Sequence, residues 1–203
     1  MTGEPERSPA GGDPGGITMT RRTVAWSSSG PPVIEIARVD VVDRGRQWVQ
    51  VVVTAQGGLP GVVVIAESDG CIALVKQFRP AVESPMWELP RGFGEKVDVG
   101  CFEDAASQAR RSALRELAEE TGMRLTRARY LGGFFPDSGL LSNRVSVVHG
   151  FVDRNNRREA RAEVDEVLWV ELPRIRELIA DGTLHDGVTL SALAMWQLGS
   201  FPS

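Results

Sequence analysis

One amphipathic helix, stopped by a glycine and set among short β-type runs, narrows the architectures open to this chain more than any other feature. From about Asp104 or Ser107 to Thr121, Ala109, Ala113, Leu114 and Leu117 recur at helical spacing, with Ser107 as a candidate N-cap and Gly122 as the stop. Elsewhere the apolar residues come in strand-length runs. VIEIARVDVV and QWVQVVVTA flank the turn Asp43-Arg44-Gly45-Arg46, and GVVVIAE and CIALVKQF flank Ser68-Asp69-Gly70, so both pairs read as hairpins. MWELP is a short strand closed by Pro90, followed by the glycine-rich RGFGE and the irregular KVDVGCFEDAA. Beyond the helix, RARYLGGF, RVSVVHGFV and VLWVEL read as strands, separated by the loop FPDSGLLSN and the charged DRNNRREARAEVDE. PRIRELIADG and TLSALAMWQL then read as two helices. Strands around a central helix with further helices behind predict an α+β fold, an αβα sandwich preceded by an N-terminal β-hairpin region.

Residues 1–31 are dominated by Gly, Pro, Ser and Thr, which bury too little to offset the entropy of ordering, so this segment reads as flexible; Met19 is a candidate alternative start. Residues 32–203 read as one domain, large enough for a real core. A net charge of −4 lacks the basic excess expected of a nucleic-acid or membrane-surface binder. No apolar run reaches membrane-spanning length and no signal-peptide core is visible. Cys71 and Cys101 have no metal-ligand or disulfide-framework spacing, which fits a reduced, cytoplasmic protein.

The end of the helix, RELAEETGM at 115–123, carries its charge against the macrodipole. Glu116, Glu119 and Glu120 lie three and four positions apart on one face, where each like-charge pair costs roughly 0.2–0.5 kcal/mol. Two readings stand at this point. One is a solvated acidic surface; the other is a divalent-cation site, because clustered carboxylate oxygens suit a hard ion such as Mg²⁺ or Mn²⁺.

Arg115, Glu116, Leu117, Glu119, Glu120, Gly122 and Met123 form REL-x-EE-x-G plus an apolar residue, which resembles the second half of the Nudix box. QFRP at 77–80, WELPRG at 87–92, the FPDSG loop and RELIADGTLHDGVTLSAL extend the likeness over roughly residues 33–199, toward the ADP-ribose pyrophosphatase branch. The first half of the box departs from the pattern. Counting back fourteen and eight positions from Arg115, where the family has Gly and Glu, gives Cys101 and Ser107. Either Gly100 fills the glycine place with a slip of one, or Gly92 does so with an enlarged loop after it; WELPRG favours Gly92. Glu95 and Glu103 are the candidates to replace the missing glutamate.

The resemblance implies a Nudix-type αβα sandwich with a mixed sheet and a Mg²⁺- or Mn²⁺-dependent hydrolase. Its substrate would be ADP-ribose or a related nucleoside diphosphate sugar, cleaved to a nucleoside monophosphate and a sugar phosphate. It also implies a homodimer with residues 32–56 at the interface. By the same likeness Glu116, Glu120 and the backbone carbonyl of Arg91 hold metal, Glu119 assists, and Arg115 orients the glutamates. The general base falls in RAEVDEVLWV, with Glu163 first and Glu166 second, and Glu163 is also a candidate ligand. Arg79, Arg91, Glu88 and Gly92 are candidates on the substrate side, since a guanidinium fork matches phosphate; for Arg79 an ion pair with Glu88 is the alternative. Trp26, Trp48 and Phe135 are either core residues or stacking partners for a base, and His149 and His185 read as structural. GFGEKV has Val97 where a dinucleotide fingerprint needs its third glycine, so a Rossmann reading fails. A nucleotide-sensing module without turnover, and a hydrolase of nucleoside triphosphates or dinucleotide polyphosphates, are the alternatives.

Overall fold

Pairs of neighbouring residues at positive φ set the first strand registers. The computed structural model describes residues 16–30, 32–94, 104–155 and 164–199. The chain forms two compact units, Met1–Gly58 with Asp137–Ser142, and Leu59–Pro136 with Asn143–Ser203.

In the first unit, β1 (Thr18–Ser27), β2 (Ile34–Asp43) and β3 (Arg46–Ala55) form an antiparallel sheet in that order. Arg44 and Gly45 take φ of 47° and 81°, the type I′ geometry whose twist suits a hairpin, and Asp43 faces Arg46 across the turn. Strand β1 lies inside the segment that composition marks as flexible. Its run TMTRRTVAWS nonetheless contains Thr, Val and Trp, which fit a pleated surface, and it pairs along β2 from Thr18 to Ser27. All ten residues of β1 are exposed. The outer edge of β3 is covered by the Asp137–Ser142 segment: Val53 N donates to Leu140 O at 2.8 Å, and Ser142 N donates to Val53 O at 3.0 Å.

The second unit holds a mixed sheet. β4 (Gly61–Ser68) and β5 (Cys71–Arg79) form the second hairpin, with φ of 50° and 74° at Asp69 and Gly70. β6 (Ser84–Glu88) adds to β5, and β7 (Arg91–Phe93) adds to β4. With β8 (Thr126–Phe134), β9 (Val145–Phe151) and β10 (Glu166–Glu171), the central order is β10-β5-β4-β9-β8; β4 and β9 run parallel and the other neighbours antiparallel. Side-chain alternation along β4 then builds two cores. Val62, Val64 and Ala66 pack with Ala109, Ala113 and Leu117 of α1 (Ala105–Thr121). Val63 and Ile65 pack instead with Ile175 and Leu178 of α2 (Leu172–Ala180) and Ala192 and Leu193 of α3 (Gly187–Leu198). This is the αβα sandwich that the sequence predicts. Among the described residues, no helix is long and apolar enough to cross a membrane.

Helix α1 differs from the sequence reading in two details. Its N-cap is Asp104 rather than Ser107: Asp104 accepts from Ser107 N at 2.8 Å, and that bond holds the carboxyl below its usual pKa. Leu114 is 39% exposed, so it does not belong to the buried stripe. That stripe is Ala109, Ser112, Ala113, Glu116, Leu117, Glu120 and Thr121. The helix is therefore rotated so that two of its three terminal glutamates face inward. Leu117, fully buried between them in sequence, anchors that orientation. Leu117→Ala is expected to lower unfolding stability by about 2–5 kcal/mol through lost burial and the cavity left behind, read as a lower urea midpoint.

Candidate active site

The site begins with a carboxylate that the fold has removed from water. Glu88 ends β6 opposite Val75 and is 0% exposed. Arg79, at the end of β5, grips it with both arms of its fork, Nε to Oε1 and Nη2 to Oε2, each at 2.6 Å. The Glu88 hydrogen bonds hold the Arg79 guanidinium above its usual pKa against the opposing effect of burial, with the charges of Glu88, Asp186 and Glu120 adding to it. Arg91 donates to Glu88 Oε2 through Nε at 2.7 Å and to Asp186 Oδ1 through Nη2 at 3.3 Å. Breaking a buried ion pair typically costs about 3–5 kcal/mol, because the remaining charge is left uncompensated. The Glu88 bonds therefore hold Arg79 in place, and any contact it makes to phosphate uses the donors left over.

Backbone geometry then joins this cluster to α1. Pro90 O accepts from Val64 N at 2.8 Å, so the next amide points away from β4, and Arg91 N donates to Glu120 Oε2 at 3.2 Å. Because N–H and C=O of one residue point to the same side of a strand, the Arg91 carbonyl also faces away from β4. At Gly92 the approach is closer still. A Cβ there would lie 2.1 Å from Glu116 Cδ and 2.2 Å from its Oε2, so the Glu116 carboxylate fills the space that any larger residue would need. Arg115 ties the same surfaces together: Nη2 donates to Phe93 O and to Glu116 Oε1, both at 2.7 Å, while Nη1 donates to Glu119 Oε2 at 2.9 Å. Glu116 and Glu120 are 7% and 3% exposed. That burial rejects a solvated acidic surface for these two and leaves Glu119 as the more open member.

These residues fit a hard divalent cation. The donors are carboxylate oxygens beside a backbone carbonyl, and the missing side chain at Gly92 is what lets Glu116 reach the strand. Among the described residues no three acidic, His or Cys side chains converge in a ready-made cage. Mg²⁺ does not require one, since it commonly takes one or two carboxylates and completes its shell with water and phosphate oxygens.

Arg79, Glu88, Arg91, Gly92, Arg115, Glu116, Glu119 and Glu120 are thus linked by the contacts of β5, β6, β7 and α1. Glu163, Glu95, Glu103, Gly100 and Cys101 lie outside the described residues. Glu166 opens β10, faces Lys76 of β5 and pairs with its Nζ at 4.0 Å. Trp26, Trp48 and Phe135 are 53%, 42% and 55% exposed, so none of the three is a core residue. His149 is buried beside Glu67 Oε2 at 2.9 Å and stacks on Trp196, while His185 Nδ1 meets Gly182 O at 2.7 Å. Sequence reasoning missed Asp186 and Thr189. Asp186 caps α3 by accepting from Thr189 N at 2.8 Å, and the Asp-x-x-Thr spacing before an apolar run is the signal that marks it.

Comparison with known proteins agrees with this geometry. The NUDIX domain matches residues 60–191. The chain is 31% identical over 147 residues to the ADP-ribose pyrophosphatase of Bacillus subtilis (strain 168), covering 68% of this chain and 73% of that protein. It is 27% identical over 147 residues to the methanol dehydrogenase activator of Bacillus methanolicus, with the same coverage. A solved structure described as an ADP compounds hydrolase superposes with a TM-score of 0.68 at 18% identity, over 90% of this chain and 92% of that one, which is a likeness of fold. With its box glutamates seated against the β7 backbone and the domain match running from β4 into α3, this chain belongs to the Nudix family of hydrolases.

Proposed function

We propose that the chain hydrolyses the diphosphate linkage of ADP-ribose or a related nucleoside diphosphate sugar, giving a nucleoside monophosphate and a sugar phosphate, with Mg²⁺ or Mn²⁺ as cofactor. The observation that carries this reading is the seating of two buried glutamates, Glu116 and Glu120, on the side-chain-free backbone at Arg91–Gly92. The activity for which the Bacillus subtilis relative is named supports the substrate class. When bound, a divalent cation supplies neutralisation of phosphate charge and acidity to a water. Glu116, Glu120 and the Arg91 carbonyl would hold it, and Glu119 would assist. Arg115 keeps Glu116 and Glu119 in fixed rotamers by charge-assisted bonds. Arg79 and Arg91, anchored on Glu88, would offer their remaining N–H donors, pre-oriented, to the diphosphate. Glu163 is the proposed base that takes a proton from the attacking water, with Glu166 as the second candidate. A reducing cytoplasm suits Cys71, which is free.

A homodimer is the proposed assembly, with residues 32–56 in its interface. Trp26, Val49 and Val51 of the first unit are exposed large apolar side chains, and by strand register they share one sheet face with Ile36 and Val53. Arg38 and Asp40, opposite Val51 and Val49, share that face, and exposed apolar side chains interleaved with charges of both signs are what an interface of two like copies can cover.

Assay of ADP-ribose, other nucleoside diphosphate sugars, nucleoside triphosphates and dinucleotide polyphosphates with Mg²⁺ tests the reaction. Monophosphate and sugar phosphate are the expected products, and absence of cleavage of every diphosphate would sink the proposal. In the same assay Glu163→Gln is expected to lower kcat by roughly 10²- to 10⁴-fold with little change in KM; near-normal turnover would pass the role to Glu166. Gly92→Ala should displace the Glu116 carboxylate and raise the metal concentration needed for half-maximal rate by roughly 10- to 100-fold. Light scattering is expected to give a dimer of the 22.1 kDa chain, and Val49→Glu with Val51→Glu a monomer.

A further inference from the structure

Asp186 and Thr189 take no part in the chemistry proposed above, yet α3 grips the segment before the site through both. Leu89 N donates to Thr189 Oγ1 at 3.0 Å, and Arg91 Nη2 donates to Asp186 Oδ1 at 3.3 Å. Thr189 is fully buried, and its hydroxyl donates a hydrogen bond to Asp186 Oδ2 at 2.8 Å. Both grips therefore end on one carboxylate. The two oxygens of that carboxylate have separate tasks: Oδ2 caps the helix by accepting from Thr189 N, and Oδ1 meets the Arg91 guanidinium. Capping needs a single acceptor, and Asn caps as well as Asp. The second oxygen of Asp186 is thus free of the capping bond. It faces a guanidinium whose other partner is Glu88, at the residue whose amide bonds Glu120.

We propose that Asp186 is a positioning residue: by holding Arg91 from the α3 side, it fixes the backbone at Arg91–Gly92 on which Glu120 and Glu116 are seated, and so sets divalent-cation affinity. This rests on the reading that those glutamates hold the cation. The guanidinium engages Glu88 through Nε and Asp186 through Nη2, and its side chain is only 24% exposed. Without Asp186 the guanidinium keeps its Glu88 bond but loses the restraint against rotating about it. The Arg91 amide then shifts against Glu120, and the carbonyl that points the same way shifts with it.

The test is Mn²⁺ binding to the full-length protein without nucleotide, followed by electron paramagnetic resonance, so that turnover is not the readout. Asp186→Asn retains an acceptor for Thr189 N but presents a neutral amide to Arg91. It is expected to keep a cooperative urea transition, with a midpoint lowered by the lost charge at the α3 N-terminus and beside Arg91, while weakening Mn²⁺ affinity by roughly tenfold or more. Arg91→Met should weaken it to a similar extent, and adding Asp186→Asn to Arg91→Met should cause no further loss, since Asp186 acts through Arg91. Unchanged Mn²⁺ affinity in Asp186→Asn overturns the proposal, as do additive losses in the double variant. Glu120→Gln separates the role of the glutamates from that of Asp186. If it leaves Mn²⁺ binding intact, the cation reading itself is overturned along with the role of Asp186; if it abolishes binding while Asp186→Asn does not weaken it, the role of Asp186 alone falls.

Discussion

Burial of carboxylates on the inner face of α1 is the constraint around which the second unit is arranged. A charged group withdrawn from water must find partners, and several kcal/mol are lost when it does not. Glu120 finds the Arg91 amide, Glu116 finds Arg115, and Glu88 finds the forks of Arg79 and Arg91. Each of these partners is delivered by a different element. The small size of Gly92, the hairpin ending at Arg79 and the rotation of α1 about Leu117 all follow from the need to bring them within hydrogen-bond distance.

Two sheet faces divide the labour. The face carrying Val62, Val64 and Ala66 holds α1 and hence the glutamates. The opposite face, with Val63 and Ile65, holds α2 and α3. Strand β7, only three residues long, stands at the edge where the chain can reach both: Gly92 touches α1, and the Arg91 side chain reaches α3. Alternation of side chains and of backbone groups along a strand is sufficient to explain how one dipeptide serves two helices.

Much of this was readable from residues alone, for identifiable reasons. The hairpin turns are local, so Asp43-Arg44-Gly45-Arg46 and Ser68-Asp69-Gly70 declare themselves. REL-x-EE-x-G marks the acidic helix end, and Gly92 is marked by WELPRG before it. Local pattern could not decide which helical face turns inward: Leu114 read as core and is 39% exposed, while Glu116 read as polar and is 7% exposed. Tertiary packing settles that rotation. Strand β1 was hidden by the glycines and prolines around it, although its own Thr, Val and Trp pair well along β2. Asp186 went unread because its partner Arg91 is ninety-five positions away.

The bond from Leu89 to Thr189 spans one hundred residues, and it ends on a buried hydroxyl in the last described helix. A contact of such long sequence separation carries the entropic cost of closing the intervening chain. In chain order α1 and the first hairpins precede α3, so the clamp on Leu89 and Arg91 comes from the far end of the described chain. The segment that seats the glutamates is thus held from two distant parts of the sequence, by β4 through its strand pairing and by α3 through Leu89 and Arg91.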